Sequence, residues 1–185
     1  MTAQHVIWSD LGDGPGMEHL KLTRDGEGYL ADGMYVGRNN DTTPYRLHYL
    51  IRVDPAWQLQ SAKMHLIDGP DGSAELSLTV DENCDWRNEA GESLPALAGC
   101  HEIDIYATPF TNTLPIRRLG IGTLVKSADV PVAYVRIPEL TVSAATLSYQ
   151  RVVEGIQVVS PVSTVVIDTD EDGFLINYPE LAQRI

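Results

Sequence analysis

Apolar and polar residues alternate with a period of two along most of the chain. In YRLHYLIRV, residues 45–53, the positions Tyr45, Leu47, Tyr49, Ile51 and Val53 fall on one side of an extended backbone. Alternation, or a run rich in Val, Ile, Tyr and Phe, recurs in AELSLTV, EIDIY, VPVAYVRI, SYQRVV, GIQVVS, STVVID and GFLINY. These patterns predict β-strands with one buried face.

Turn residues separate the predicted strands. Asp-Gly pairs occur at residues 25–26, 32–33, 68–69, 71–72 and 172–173, and this pair favours tight hairpins because both residues tolerate positive φ. We count about ten or eleven strands with short connections, a pattern typical of antiparallel sheets. The sequence therefore predicts a single, mainly β domain over residues 1–185, with one or two short helices.

One segment, ATPFTNTLPIRRLG at residues 107–120, has little strand alternation. Its Thr, Pro and Gly positions predict a short helix over Thr113–Leu119, capped by Thr113 and ended by Gly120. The tail YPELAQRI predicts a second short helix beginning at Pro179.

The chain is acidic, with a formal net charge of −13 from 26 acidic and 13 basic residues. This charge disfavours nucleic acid and anionic membranes as partners, because both require cationic surfaces. No secretory signal and no apolar run of membrane-spanning length is visible, which predicts a cytoplasmic protein with Cys84 and Cys100 as free thiols. The oligomeric state stays open.

One motif in the sequence resembles a metal-binding site. DTDEDG, Asp168–Gly173, matches the start of a calcium-binding EF-hand loop, but Pro179 stands where the bidentate Glu belongs and the flanks are strands. We therefore interpret it as a hairpin turn. The five histidines lack metal-ligand spacing, and no nucleophile or nucleotide motif appears, so we predict no catalytic residue, metal or cofactor.

The adjacent Arg117 and Arg118 point to different neighbours if their segment is helical. In one interpretation they pair with carboxylates and tie the segment to adjoining strands. In the other, a guanidinium lies at the mouth of a cavity and contacts a ligand. The first interpretation is favoured because most arginine contacts in small domains are structural.

The segments TPFTNTLPIRRL, VAYVRIPEL, SYQRV and GFLINYPELAQRI together resemble the bacterial family described as "Putative glycolipid-binding". EHLKL, ADGMYVG and LHYLIRVDPAW match its general outline, so the resemblance spans nearly the whole chain. It implies a spiral β-roll, a long sheet that curls into an incomplete barrel. In shape the family is similar to periplasmic carriers of lipoproteins.

The resemblance implies non-catalytic binding of an amphiphilic small molecule, a glycolipid, in or at the mouth of a cavity inside the roll. The candidate ligand-binding residues are Arg117, Arg118, Asn112, His48, Tyr49, Tyr134 and Tyr149. Apolar strand-face residues that could line the cavity are Tyr45, Leu47, Leu76 and Leu78, although these could equally fill the core.

Two other function classes stay open. A hydrolase or isomerase would bring groups such as Glu18, His48, Asp104 or Arg117 together in a cleft with perturbed pKa values. A protein-interaction module would expose a large apolar patch or a sheet edge.

Overall fold

The computed structural model describes residues 3–12, 15–38, 43–106, 108–120, 127–161 and 163–185. In these ranges fourteen strands form one sheet. The strands are β1 Ala3–Asp10, β2 Gly16–Asp25, β3 Gly28–Arg38, β4 Pro44–Val53, β5 Leu59–Gly69, β6 Gly72–Val80, β7 Trp86–Asn88, β8 Glu102–Ile105, β9 Ala128–Arg136, β10 Thr141–Val152, β11 Gly155–Val159, β12 Thr164–Thr169, β13 Leu175–Tyr178 and β14 Ala182–Arg184. The helical elements are 3₁₀ turns at Pro95–Leu97 and Pro109–Asn112 and helix α1, Thr113–Leu119.

The sheet consists of two antiparallel meanders joined through the chain ends. Its strand order is β7-β6-β5-β4-β3-β2-β1-β14-β13-β12-β11-β10-β9-β8. β1 pairs with β14, opposing Trp8 to Arg184, while β8 and β9 pair in parallel. The predicted mainly β, largely antiparallel architecture is confirmed.

The sheet curls until its two edge strands approach each other. β7 and β8 lie at opposite ends of the strand order, yet residues 89–101 are all that separate them in the chain. The indole Nε1 of Trp86 donates a hydrogen bond to the carbonyl oxygen of Cys100 at 2.9 Å, just before β8 begins. The right-handed twist of adjacent strands accumulates over a long sheet and supplies this curvature. The result is the predicted open β-roll.

The inner face of the roll carries the apolar core. Leu47, Tyr49 and Ile51 of β4 are completely buried, as the alternation predicts, and Ile156 and Ile167 are their fully buried counterparts in the second half. Burying a side chain of this size contributes about 1.5–3 kcal/mol, so the alternating positions supply the main stabilisation of the sheet.

A helical plug, residues 108–119, enters the roll between β8 and β9. Phe110 stacks between Tyr49 at 6.2 Å and Phe174 at 6.5 Å, ring centre to ring centre, so it joins the two halves. The predicted helix has the expected bounds, and Gly120 ends it in the left-handed conformation with φ 61°.

The predicted cap was wrong. Thr113 does not cap the helix, because the 3₁₀ turn Pro109–Asn112 runs directly into α1 and Asn112 already has helical dihedrals. Capping occurs one element earlier instead. The hydroxyl oxygen of Thr108 accepts a hydrogen bond from the backbone N–H of Phe110 at 3.0 Å.

The predicted C-terminal helix was also wrong, since residues after Pro179 form strand β14 between β1 and β13. Pairing with β1 satisfies backbone groups that an exposed strand edge would leave open, and this outweighs the local helical signal. β7 and β14 span three residues each, too few for alternation to reveal them, so the count of ten or eleven strands was low.

The DTDEDG segment is the β12–β13 hairpin turn, as predicted. Asp170 accepts a hydrogen bond from the N–H of Phe174 at 2.9 Å and pairs with Arg184, and Gly173 adopts φ 76°. Within the described ranges, no three His, Cys, Asp or Glu side chains are grouped to hold a metal ion. In the same ranges no helix has the length and apolar character needed to cross a bilayer.

Candidate functional site

A pocket of about 500 Å³ lies over the inner face of the C-terminal half of the sheet. Apolar walls come from Leu147 and Val158, and polar groups come from Asn112, Tyr134 and Arg136. The pocket is therefore amphipathic.

Sheet register explains why these side chains converge. Asp104 of β8 pairs with Tyr134 of β9, and Tyr134 pairs with Ser143 of β10, so the three side chains share one face. Ala145 and Leu147 continue the same face along β10. Small side chains at positions 143–145 leave space where large ones would fill it.

A second pocket of about 240 Å³ adjoins the first and reaches the N-terminal half. Asp10, Glu18, Tyr35 and Tyr45 supply polar groups to it, next to the ring of Trp8. The two pockets share the lining residues Tyr106, Glu180 and Leu181. The two pockets are therefore neighbours, with these three residues between them.

Glu18 is the most unusual group in the smaller pocket, because its side chain is 1% exposed. Its Oε1 accepts hydrogen bonds from the Tyr49 hydroxyl at 2.5 Å and the Thr108 hydroxyl at 2.9 Å. Its Oε2 has no hydrogen-bond partner among the described residues. Burial raises the pKa of Glu18 to about 8, against the lowering effect of the two hydrogen bonds, so the carboxyl group is neutral at pH 7.

Gly33 makes room for the Tyr49 hydroxyl to reach Glu18. Gly33 and Tyr49 are cross-strand partners on β3 and β4, and the phenol ring lies over the glycine. A β-carbon at Gly33 would lie 2.0 Å from Cζ of Tyr49. An inward side chain at position 33 is thus incompatible with the observed ring position.

Tyr35 and Tyr45 keep their hydroxyl protons over the physiological range. The Tyr35 hydroxyl donates to Oδ2 of Asp10, whose Oδ1 accepts from the N–H of Gly12 at 2.7 Å. Burial raises the pKa of Tyr45 to about 12 and that of Tyr35 further still. Their phenols are therefore neutral hydrogen-bonding groups beside a carboxylate.

Asp104 and Asn112 mark the wall of the larger pocket that faces the plug. Asp104 accepts a hydrogen bond from the Thr111 hydroxyl at 2.9 Å, and burial raises the pKa of Asp104 to about 6. Oδ1 of Asn112 accepts from the Tyr149 hydroxyl at 3.0 Å. The plug thus fixes the polar wall of the pocket.

Comparison with known proteins adds one decisive match. A family model described as "Putative glycolipid-binding" covers residues 5–184. The chain belongs to this family. A DUF1089 family protein from Pseudomonas aeruginosa, known from its crystal structure, is 31% identical over 92% of each chain, with a TM-score of 0.82. No curated protein matches the chain.

Of the seven candidate ligand-binding residues predicted from the sequence, two line the larger pocket in this family member: Asn112 and Tyr134. Tyr49 and Tyr149 are completely buried and support the wall through Glu18 and Asn112. Of the apolar positions expected to line a cavity, Tyr45 lines the smaller pocket.

The three remaining candidates have other neighbours. Arg117 pairs with Asp172 at 3.0 Å and lies over the ring of Trp57 at 4.7 Å. Arg118 pairs with Glu102 of β8. His48 lies on the outer face, 2.9 Å from Asp32.

These positions do not bring together the four groups of the enzyme alternative. Glu18 and Asp104 have raised pKa values, but His48 faces outward and Arg117 binds Asp172. Burial raises the pKa of both Cys84 and Cys100, and Sγ of Cys84 lies 3.1 Å from Nδ1 of His101.

The sequence analysis did not identify Asp10, Tyr35 and Tyr106 as residues that line the smaller pocket. Tyr35 lies on the inner face because its cross-strand partners are Glu18 and Leu47, which face inward. The alternation of side chains along the ADGMYVG segment is the sequence signal that could have identified Tyr35. Asp10 ends β1, and its role depends on curling that local patterns do not reveal.

Proposed function

We propose that this protein binds an amphiphilic small molecule of the glycolipid type, without catalysis, in the larger pocket. The observation that carries the proposal is an amphipathic space of about 500 Å³ on the concave face of the roll. Ligand pockets commonly span about 300–1,000 Å³ and combine apolar walls with a few placed polar groups.

The contrast between the two halves of the sheet supports this proposal. In the N-terminal half, Leu47, Tyr49 and Met64 are large, buried side chains that fill the inner face around them. In the C-terminal half, the corresponding wall carries Ser143 and Ala145, and the space stays open. Natural cores rarely leave space of this size unfilled, which favours a bound molecule as its occupant.

Composition and family membership agree with the same conclusion. The net charge of −13 disfavours nucleic acid as a partner. The family description supports a glycolipid over other amphiphiles.

Native mass spectrometry of gently purified protein tests the proposal directly, followed by thermal unfolding with octyl glucoside below its micelle concentration. We expect a co-purifying lipid and a rise in Tm, because a ligand at 100 times its Kd stabilises the folded state by about 2.7 kcal/mol.

Two neighbouring residues of β10 provide a matched pair of variants. Ala145→Phe places a ring in the pocket, whereas Thr146→Phe adds the same ring on the opposite, exposed face. The Tm shift should disappear in Ala145→Phe and persist in Thr146→Phe. No bound lipid together with no octyl glucoside effect on the wild type would refute the proposal, and turnover of a glycoside would refute the non-catalytic role.

A further inference from the structure

The smaller pocket differs chemically from the larger one, and the two adjoin at Tyr106, Glu180 and Leu181. Its polar groups are the carboxyls of Asp10, Glu18 and Glu180 and the phenols of Tyr35 and Tyr45. Carboxylates accept hydrogen bonds, and phenols can both donate and accept. A partner rich in hydroxyl groups can satisfy all of them.

Glu18 provides a second, independent indication of a ligand. It is a polar side chain with 1% exposure in the wall of this pocket, and its Oε2 has no hydrogen-bond partner among the described residues. An unpaired buried polar atom destabilises the folded state, so native structures usually supply a partner for it. A ligand hydroxyl that reached Glu18 would remove this cost.

The charged side chains in the wall of the smaller pocket determine which ligand head groups it favours. Asp10 and Glu180 are two carboxylates against the single guanidinium of Arg38 in the pocket wall. Like charges repel a phosphate or carboxylate, and the net charge of the chain adds to this repulsion. The pocket therefore favours a neutral group over an anionic one.

The volumes of the two pockets suit different parts of one ligand molecule. A volume of about 240 Å³ is below the range usual for whole drug-sized ligands, while the adjoining space of about 500 Å³ lies within it. Because the two pockets adjoin at Tyr106 and Leu181, a ligand that extends past these side chains would contact both pockets.

We infer that the pocket of Asp10, Glu18, Tyr35 and Tyr45 is a head-group subsite for a neutral, polyhydroxylated ring such as a hexose. This inference rests on the proposed function, since it places the apolar part of the same amphiphile in the larger pocket. It commits the protein to uncharged glycosides rather than phospholipids or fatty acids.

The test compares three probes that share one alkyl chain: octyl glucoside, 1-octanol and octyl phosphate, with methyl glucoside as the sugar alone. We expect octyl glucoside to bind the wild type at least tenfold more tightly than 1-octanol or octyl phosphate by calorimetry. Tyr45→Phe should lower octyl glucoside affinity about fivefold, the effect of one hydrogen bond, and leave 1-octanol unchanged. Tyr29→Phe, whose ring stacks on Trp57 away from both pockets, is the control.

The outcomes separate the two proposals. Equal binding of octyl glucoside and 1-octanol, or tighter binding of octyl phosphate, overturns the head-group subsite and leaves amphiphile binding intact. Binding of methyl glucoside without any effect of the alkyl chain supports the subsite and overturns the amphiphile. If no probe binds, both are wrong.

Discussion

The neutral carboxyl group of Glu18 makes the stability of this protein depend on pH in a direction that can be worked out. In the unfolded chain the pKa of Glu18 is about 4.5, whereas in the folded protein burial raises it to about 8. Between these values the folded state holds a proton that the unfolded state has released. The stability contribution of Glu18 is therefore complete below pH 4.5 and is lost as the pH rises towards 8.

The magnitude follows from the two pKa values. Each pH unit across this window costs about 1.4 kcal/mol of unfolding free energy per proton. From pH 5 to pH 7, Glu18 alone should lower the stability by about 2–3 kcal/mol. Glu102 and Asp104, whose pKa values are raised to about 7 and 6, act in the same direction.

Glu18→Gln isolates this contribution, because the amide keeps the shape and the Oε1 acceptor for Tyr49 and Thr108 but cannot ionise. Urea unfolding at pH 5 and pH 7 gives the free energy of unfolding for both proteins. We expect the variant to gain about 2–3 kcal/mol relative to the wild type between these pH values.

Glu27→Gln is the matched control, since it removes an exposed carboxylate from the turn between β2 and β3 on the same half of the sheet. Its difference from the wild type should stay constant between pH 5 and pH 7. If Glu18→Gln also shows a constant difference, Glu18 does not hold a proton in the folded protein and the reasoning is refuted.

Three further substitutions test contacts of the plug and the inner face by urea unfolding. Arg118→Leu leaves Glu102 buried without its cation. Because the pKa of Glu102 is about 7, the loss of stability should be about 1 kcal/mol larger at pH 8, where Glu102 is ionised, than at pH 5, where it is protonated. Equal losses at the two pH values would contradict this. Gly33→Ala should cost about 1–3 kcal/mol, because the new methyl group displaces Tyr49, and a neutral effect would contradict the close packing. Phe110→Ala should cost about 3–5 kcal/mol, and a loss below 1 kcal/mol would show that the plug does not join the halves.

Local sequence patterns predicted the structural features that depend on residues close together in the chain. Alternation placed Tyr45, Leu47 and Tyr49 on the buried face, and the helix at Thr113–Leu119 followed from its flanking residues. The sequence also identified the hairpin of Asp168–Gly173, because its turn chemistry is local.

What the sequence did not predict depends on curvature over many strands. The indole of Trp8 donates to the carbonyl of Leu175 at 2.8 Å, a contact that spans almost the whole chain. Thr108 reaches Glu18 only because the plug folds back into the roll. No local repeat in the sequence encodes contacts between residues so far apart in the chain. The two pockets and the pairing of β1 with β14 could therefore not be predicted from the sequence.

The same curvature brings the plug against the inner wall of the roll. Three buried or half-buried carboxyl groups line the inner wall, and each is hydrogen-bonded by a plug side chain: Thr108 to Glu18, Thr111 to Asp104 and Arg118 to Glu102. A buried carboxyl without such a partner would cost more than the core could easily offset. The plug and the wall must therefore match residue by residue, which fixes the plug in one orientation and with it the wall that the two pockets share.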